Sequence, residues 1–271
     1  MTRAQKIIKY FAIAFAIFLI VAIIGGIVRG ISFAVNVFGD NDTVSVADLK
    51  DYKLKDINKL YVDIDAADIK VVRGGSFSLK SNHKNLKVEE YAGKLSITDT
   101  MHSWDIFEKK YQVEITIPEK ADLETVTLDA GAGKVLLENF KTEELNLILG
   151  AGEVKLNKLD VTAKTEIEGG AGEITATDCS FANLDMEIGV GECNLTAWAL
   201  GDSQIECGVG EANLTFFKDA DNDYTVSVSK GIGSVKVDGR SVGDEEKVGN
   251  GKNRLDIDCG VGAVDIKFEN K

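Results

Sequence analysis

Residues 184–196 read LDMEIGVGECNLT, and this short stretch shows the pattern on which the whole chain is built. Before the first glycine, apolar side chains alternate with acidic ones, which is typical of a β-strand with one buried face. After the second glycine the alternation resumes one residue out of phase, with Cys193 and Leu195 on the apolar side. Such a shift would turn all later side chains outward unless the chain bends, and Gly189 and Gly191 permit a sharp bend. The stretch therefore predicts a strand, a turn and a strand.

The same turn returns along the C-terminal half of the chain at a regular spacing. Its copies read GAGKV from Gly131, GAGEV from Gly150, GAGEI from Gly170, GVGEC from Gly189, GVGEA from Gly208, GIGSV from Gly231 and GVGAV from Gly260. Their starts lie 19, 20, 19, 19, 23 and 29 residues apart. A fixed period is typical of repeat proteins, in which each copy buries its apolar face against its neighbours. We predict an all-β fold: a single-domain β-solenoid of short coils, with a period of about 19–20, whose parallel strands stack in chain order.

Weaker copies extend the repeat towards the N-terminus. Alanines replace the glycines of the turn in residues 60–71, and residues 88–97 show the alternation around Gly93. Two insertions, at residues 219–223 and 239–251, are polar and predict loops. The repeat then occupies residues 57–271.

The N-terminus predicts a membrane anchor. Residues 7–28 are almost wholly apolar and long enough to span a bilayer as one transmembrane helix. Positive residues precede them, which places the N-terminus in the cytoplasm and the repeat domain outside. Residues 1–29 then form the cytoplasmic tip and transmembrane helix, and residues 30–56 form a stalk. A cleaved signal peptide is the alternative.

Composition excludes some functions and leaves little room for catalysis. The formal net charge of −13 argues against nucleic acid as a partner. The only two histidines, His83 and His102, fall in unrelated segments, so no Ser-His-Asp or Cys-His set can be placed, and we predict no enzyme and no cofactor.

The cysteines are predicted not to form disulfides. If the copies stack in chain order, Cys207 and Cys259 occupy one inward position two coils apart. That distance of about 9–10 Å is beyond the reach of a disulfide, so the four cysteines are predicted to be buried free thiols.

Glutamates recur at two outward positions of the repeat and form the candidate metal site. In stacked coils one column contains Glu168, Glu187 and Glu206, and a second column, at the turn, contains Glu153, Glu173, Glu192 and Glu211. Like charges about 5 Å apart repel by about 1 kcal/mol in water, so such columns attract cations. They are either speculative sites for a divalent ion such as Ca²⁺ or a solvated acidic face that opposes aggregation.

The repeat resembles that of the bacterial DUF4097 group, a family of candidate adhesins with β-strand repeats. The resemblance depends on ITIP at residues 115–118, LETVTLDAGAG at residues 123–133 and the recurring L-x-L-x-x-G-x-G-x-V units. It implies an exported or membrane-anchored solenoid, in a family with members associated with cell-envelope stress, and it brings no catalytic residues.

Three functions follow from these observations and from the resemblance. The first is a non-enzymatic, adhesin-like binding module at the cell surface, held in the cell membrane by its helix. The second is a scaffold or sensor of the stressed cell envelope. The third is a carbohydrate-active β-helix enzyme, which the columns of carboxylates do not favour because such enzymes need an isolated acid pair in a cleft. The expected partners are the membrane and either envelope proteins or a cell-wall polymer.

Overall fold

The computed structural model describes residues 50–54, 57–99, 111–121 and 123–271, and these are all-β. No stretch within these ranges forms a helix of the length and apolarity needed to cross a membrane. The predicted transmembrane helix and most of the predicted stalk lie outside the described residues.

The N-terminal part of the described chain consists of short strands. They are β1 (Lys50–Lys53), β2 (Lys59–Ala66), β3 (Asp68–Gly74), β4 (Ser78–Ser81), β5 (Leu86–Tyr91), β6 (Lys94–Asp99) and β7 (Gln112–Pro118).

Long strands dominate the remainder. The strands are β8 (Leu123–Glu138), β9 (Lys141–Asn157), β10 (Asp160–Ala182), β11 (Leu184–Leu200), β12 (Asp202–Lys218), β13 (Tyr224–Val237), β14 (Arg240–Val242), β15 (Glu246–Gly249) and β16 (Asn253–Asn270). We call those that contain a Gly-x-Gly turn, β8 to β13 and β16, the long strands. All the described strands belong to one 16-stranded sheet.

The long strands pair in parallel and in register, turn over turn. The second glycines of their turns are aligned in the spatial order Gly133, Gly152, Gly172, Gly191, Gly210, Gly262 and Gly233. In β11, Leu184, Met186 and Ile188 are buried before the turn, and Cys193 and Leu195 are buried after it. The predicted one-residue change of phase at the turn is thereby confirmed. The aligned apolar positions form one continuous core, consistent with a β-solenoid.

The spatial order of the strands differs from the predicted chain order at the C-terminal end. The last strand, β16, lies between β12 and β13 and pairs with both. Residues 239–251, predicted to be a polar loop, instead provide β14 and β15, which pair antiparallel with the two halves of β13. Strands β14 and β15 occupy one edge of β13, so β16 pairs with the other edge. The prediction that Cys207 and Cys259 lie two coils apart is therefore wrong, since they are direct register partners.

A second departure lies at the N-terminal end. Residues 88–97, predicted to be a repeat copy, form the antiparallel hairpin of β5 and β6, with Ala92 and Gly93 at positive φ in its turn. The copy at residues 60–71 is confirmed, because β2 and β3 pair in parallel with the two halves of β8. Strands β6 and β7 pair on the far side of β2 and β3, and β4 and then β1 continue the sheet antiparallel. The strands at the two ends of the sheet are short, with four residues in β1 and three in β14, which limits the edge open to pairing with another chain.

Candidate binding surface

The first predicted glutamate column exists and is longer than predicted. Glu168 is the register partner of Glu187, Glu187 of Glu206, and Glu206 of Asp258. Neighbouring strands lie about 4.8 Å apart, so four exposed carboxylates follow one another at that spacing. Sequence reasoning missed Asp258 as a neighbour of Glu206 because it assumed that β13 follows β12.

The predicted second column also exists. Glu153, Glu173, Glu192 and Glu211 are register partners on successive strands. At the β8 end of this column, Lys134 Nζ lies 3.5 Å from Glu153 Oε2. At the β16 end, Ala263 is the register partner of Glu211. A hydrogen bond from Lys155, reinforced by the charges of Lys155 and Lys134, lowers the pKa of Glu153.

Polar neighbours two residues away hold several column carboxylates in place. Thr175 Oγ1 donates to Glu173 at 3.0 Å, and Asn194 Nδ2 donates to Glu192 at 2.9 Å. Gln204 Nε2 donates to Glu206 at 2.6 Å. These are contacts within one strand, so each glutamate is directed along its own strand and not towards the next carboxylate.

A third acidic column, not predicted, lies two residues before the first. Its members are the register partners Glu166, Asp185, Gln204 and Asp256. Together with the first column it forms a surface that we call the acidic face, composed of Glu166, Glu168, Asp185, Glu187, Glu206, Asp256 and Asp258. The same alternation that revealed the first column could have revealed this one, since each strand continues outward every second residue.

The carboxylates of these columns do not converge. Among the residues that the structure describes, no group of three or more His, Cys, Asp or Glu side chains is arranged to hold a metal ion. Calcium binding by the columns remains a prediction that only experiment can test.

A groove of about 330 Å³ lies between β3, β4, β7, β8 and β9, and positive as well as negative side chains line it. Four lysines line it, Lys70, Lys80, Lys134 and Lys155, together with Asp68, Glu114 and Glu153. Ion pairs join Lys70 Nζ to Glu114 Oε2 at 3.7 Å and Lys134 Nζ to Glu153 Oε2 at 3.5 Å, and Lys155 pairs with the other carboxylate oxygen of Glu153. Sequence reasoning missed the groove because its walls come from strands far apart in the chain.

The buried titratable groups of the described residues do not form a nucleophile with a base. His83 Nε2 lies 3.9 Å from Asp99 Oδ2, and both side chains are shielded from solvent. The nearby Ser81 Oγ donates to the carbonyl of Gln112 and accepts from the backbone N–H of His83, so it makes no contact with the imidazole in these bonds. Burial raises the pKa of all four cysteine thiols, and that of Cys193 reaches about 12. Such thiols are poor nucleophiles at neutral pH.

The chain belongs to the DUF4097 family, described as Toastrack DUF4097, whose model matches residues 56–244. The match begins next to β2 and covers every Gly-x-Gly turn except that of β16. A search of curated proteins gave no match.

The chain is similar to several solved structures, and the first of those named here shares its fold. A candidate adhesin from Bacteroides fragilis has 17% sequence identity and a TM-score of 0.51, with 80% of this chain and 95% of that chain covered. A candidate cell adhesion protein from Clostridium sporogenes has 19% identity and a TM-score of 0.34 over 82% and 98% of the two chains. A candidate lipid-binding protein from Parabacteroides distasonis has 12% identity and a TM-score of 0.40 over 80% and 95%.

Proposed function

We propose that this protein is a non-enzymatic, adhesin-like binding module, a β-solenoid displayed outside the cell membrane on an N-terminal transmembrane helix. The observation that carries the proposal is the register of the long strands, which repeats the same outward side chains from strand to strand. A surface of this kind offers one type of contact many times over a wide area. A partner with its own repeat, such as a cell-wall polymer, or an extended envelope protein can meet several of these contacts at once, and linked contacts raise overall affinity.

The acidic face is the part of this surface that we expect the partner to meet. Its carboxylates extend over β10, β11, β12 and β16, and Lys164 and Arg254 lie along one border, beside Glu144 and Asp202. An acidic surface favours partners with ammonium or guanidinium groups and steers their approach at low salt.

Photo-crosslinking in the native membrane tests the surface. A photoreactive residue replaces Asp185 at the centre of the acidic face, and a matched control replaces Asp221, which is exposed in the turn between β12 and β13. We expect envelope proteins or polymer fragments to be captured from position 185 and not from position 221. Equal capture at both positions, or none at position 185, would contradict this assignment.

The topology is tested separately with wall-stripped cells. Protease added outside should remove the repeat domain while the N-terminal segment stays with the membrane. Protection of the repeat domain would refute display at the surface. Release of the domain into the medium before proteolysis would favour the cleaved signal peptide.

A further inference from the structure

We propose that Cys207 and Cys259 form a disulfide site between β12 and β16, which closes when the chain folds under oxidising conditions. The two residues are direct register partners on adjacent parallel strands. Both side chains face the core, with 3% and 2% of their surface exposed, and both are free thiols in the structure.

The strand spacing brings the two Cα atoms within the range of this bond, and the two Cβ atoms, which lie at about the same spacing, must move closer by roughly 1 Å. Register partners on neighbouring strands have Cα atoms about 4.8 Å apart, within the range of roughly 4.4–6.8 Å found in disulfides. Each cysteine immediately precedes the first glycine of its turn, Gly208 or Gly260. The site therefore lies where the strand gives way to a bend, and small backbone adjustments there can bring the two sulfurs together.

The other two cysteines are placed differently. Cys193 has Ala212 as its register partner on β12, and its thiol lies 3.7 Å from the sulfur of Met186. Cys179 is paired with Ala197 on β11, and its thiol donates to the carbonyl of Thr177 at 3.4 Å. Because all four cysteines of the chain are described, Cys207 and Cys259 are its sole in-register pair.

The bond would hold β16 next to β12, the place where the spatial order of the strands departs from their order in the chain. Positions 207 and 259 are 52 residues apart, and the segment between them contains β13, β14 and β15. Strand β16 must enter between β12 and β13 after that segment has been made. A covalent link from β12 to β16 disfavours the competing arrangement in which β13 packs directly on β12.

The chemistry is thiol–disulfide exchange with a small disulfide such as oxidised glutathione. One cysteine thiolate attacks the disulfide and releases one glutathione thiolate, and the second cysteine then displaces the other. Two thiols are oxidised, one glutathione disulfide is reduced to two thiols, and the two protons leave with the glutathione. Burial of both cysteines in the folded protein slows the attack, so the bond forms most readily during folding. The inference does not depend on the proposed function.

The test refolds the full-length chain, in mild detergent, in a glutathione redox buffer and in reducing buffer. Free thiols are then alkylated, and the protein is digested without reduction by trypsin and a glutamate-specific protease. Cleavage after Glu192, Glu206 and Glu211 separates Cys193 from Cys207, and cleavage after Arg254 and Lys267 isolates Cys259. We expect a linked peptide that joins residues 207–211 to residues 255–267. We also expect the melting temperature to be higher than that of the reduced protein by roughly 5–10 °C.

Variants separate this pair from the other thiols. Cys193→Ala should retain the linked peptide and the increase in melting temperature, whereas Cys207→Ala and Cys259→Ala should lose both. Recovery of all four cysteines as alkylated thiols from the oxidising refold would overturn the proposal. So would a bond that contains Cys179 or Cys193. Peptide mapping of the unsubstituted chain decides the matter even if a variant fails to fold.

Discussion

Gly191 lies so close over Gly172 on the neighbouring strand that a Cβ atom at Gly191 would overlap the carbonyl oxygen of Gly172. The φ of Gly191 is 151°, a value that side chains of L-residues rarely allow. Two separate constraints, contact and backbone conformation, thus require glycine at the second position of the turn. The in-register stack of turns depends on this approach.

Replacing Gly191 by alanine should therefore destabilise the protein strongly. The added methyl group requires the strands to separate and strains the backbone, and we expect a loss of about 3 kcal/mol or more in the free energy of unfolding. Denaturant unfolding followed by circular dichroism measures it. Gly75→Ala is the matched control, because Gly75 is exposed and an added Cβ would have no atom within 4 Å. Equal stability of the two variants would contradict the argument.

The sequence predicted what depends on local pattern. The bend, the change of phase and both glutamate columns follow from residues within one repeat, such as Ile188 and Cys193 on either side of their turn. The position of β16 depends on a contact between distant segments, its pairing with β12, which becomes possible because residues 239–251 pair back on β13. Strands β14 and β15, which residues 239–251 form, are short and contain too few alternating residues for the sequence to reveal these pairings. Consequently Asp258 was missed in the acidic column, and Cys259 was placed too far from Cys207.

Tyr224, the first residue of β13, supports a second prediction. Its hydroxyl is buried, donates to the carbonyl of Phe217 at 2.9 Å and accepts from the N–H of Ala199 at 3.2 Å. Tyr224→Phe keeps the ring and leaves both backbone groups without this partner, so we expect a loss of about 1–3 kcal/mol in the free energy of unfolding. Tyr91→Phe is the control, since Tyr91 is 83% exposed, and we expect it to change stability by less than about 0.5 kcal/mol. Similar unfolding midpoints for the two variants would count against a structural role of the hydroxyl.

The buried pair His83 and Asp99 predicts how stability depends on pH. Burial lowers the pKa of His83 below its ordinary value of 6.5, and the charge of Asp99 opposes part of this shift. The unfolded chain then binds the proton more readily, so stability is complete above pH 6.5 and is lost as the pH falls towards the folded-state pKa. Burial raises the pKa of Asp99, which has the opposite effect at lower pH. We expect the melting temperature to fall between pH 7.5 and pH 5.5.

Replacement of each histidine assigns this fall to one residue. His83→Phe keeps an aromatic ring against Tyr111, whose ring centre lies 4.1 Å from that of His83, and it should flatten the pH dependence. His102→Phe should leave the dependence unchanged. If the fall disappears only in the His102 variant, His83 is not its source.

The acidic face gives the last prediction. Neighbouring carboxylates about 5 Å apart repel by about 1 kcal/mol in water, and salt screens this repulsion. Glu187→Gln, in the middle of the first column, should therefore raise the melting temperature at low ionic strength, and the gain should shrink at high salt. Glu119→Gln, in the exposed turn after β7, removes the same charge away from the columns and should give little gain.

Calcium and sodium at matched ionic strength should stabilise the unsubstituted protein equally if the acidic face is simply solvated. A larger effect of calcium would instead establish the columns as a cation site, provided that the effect is lost in the triple variant Glu168→Gln, Glu187→Gln and Glu206→Gln. Ion binding to the folded state would then add about 1.4 kcal/mol to the free energy of unfolding at a tenfold excess of calcium over Kd.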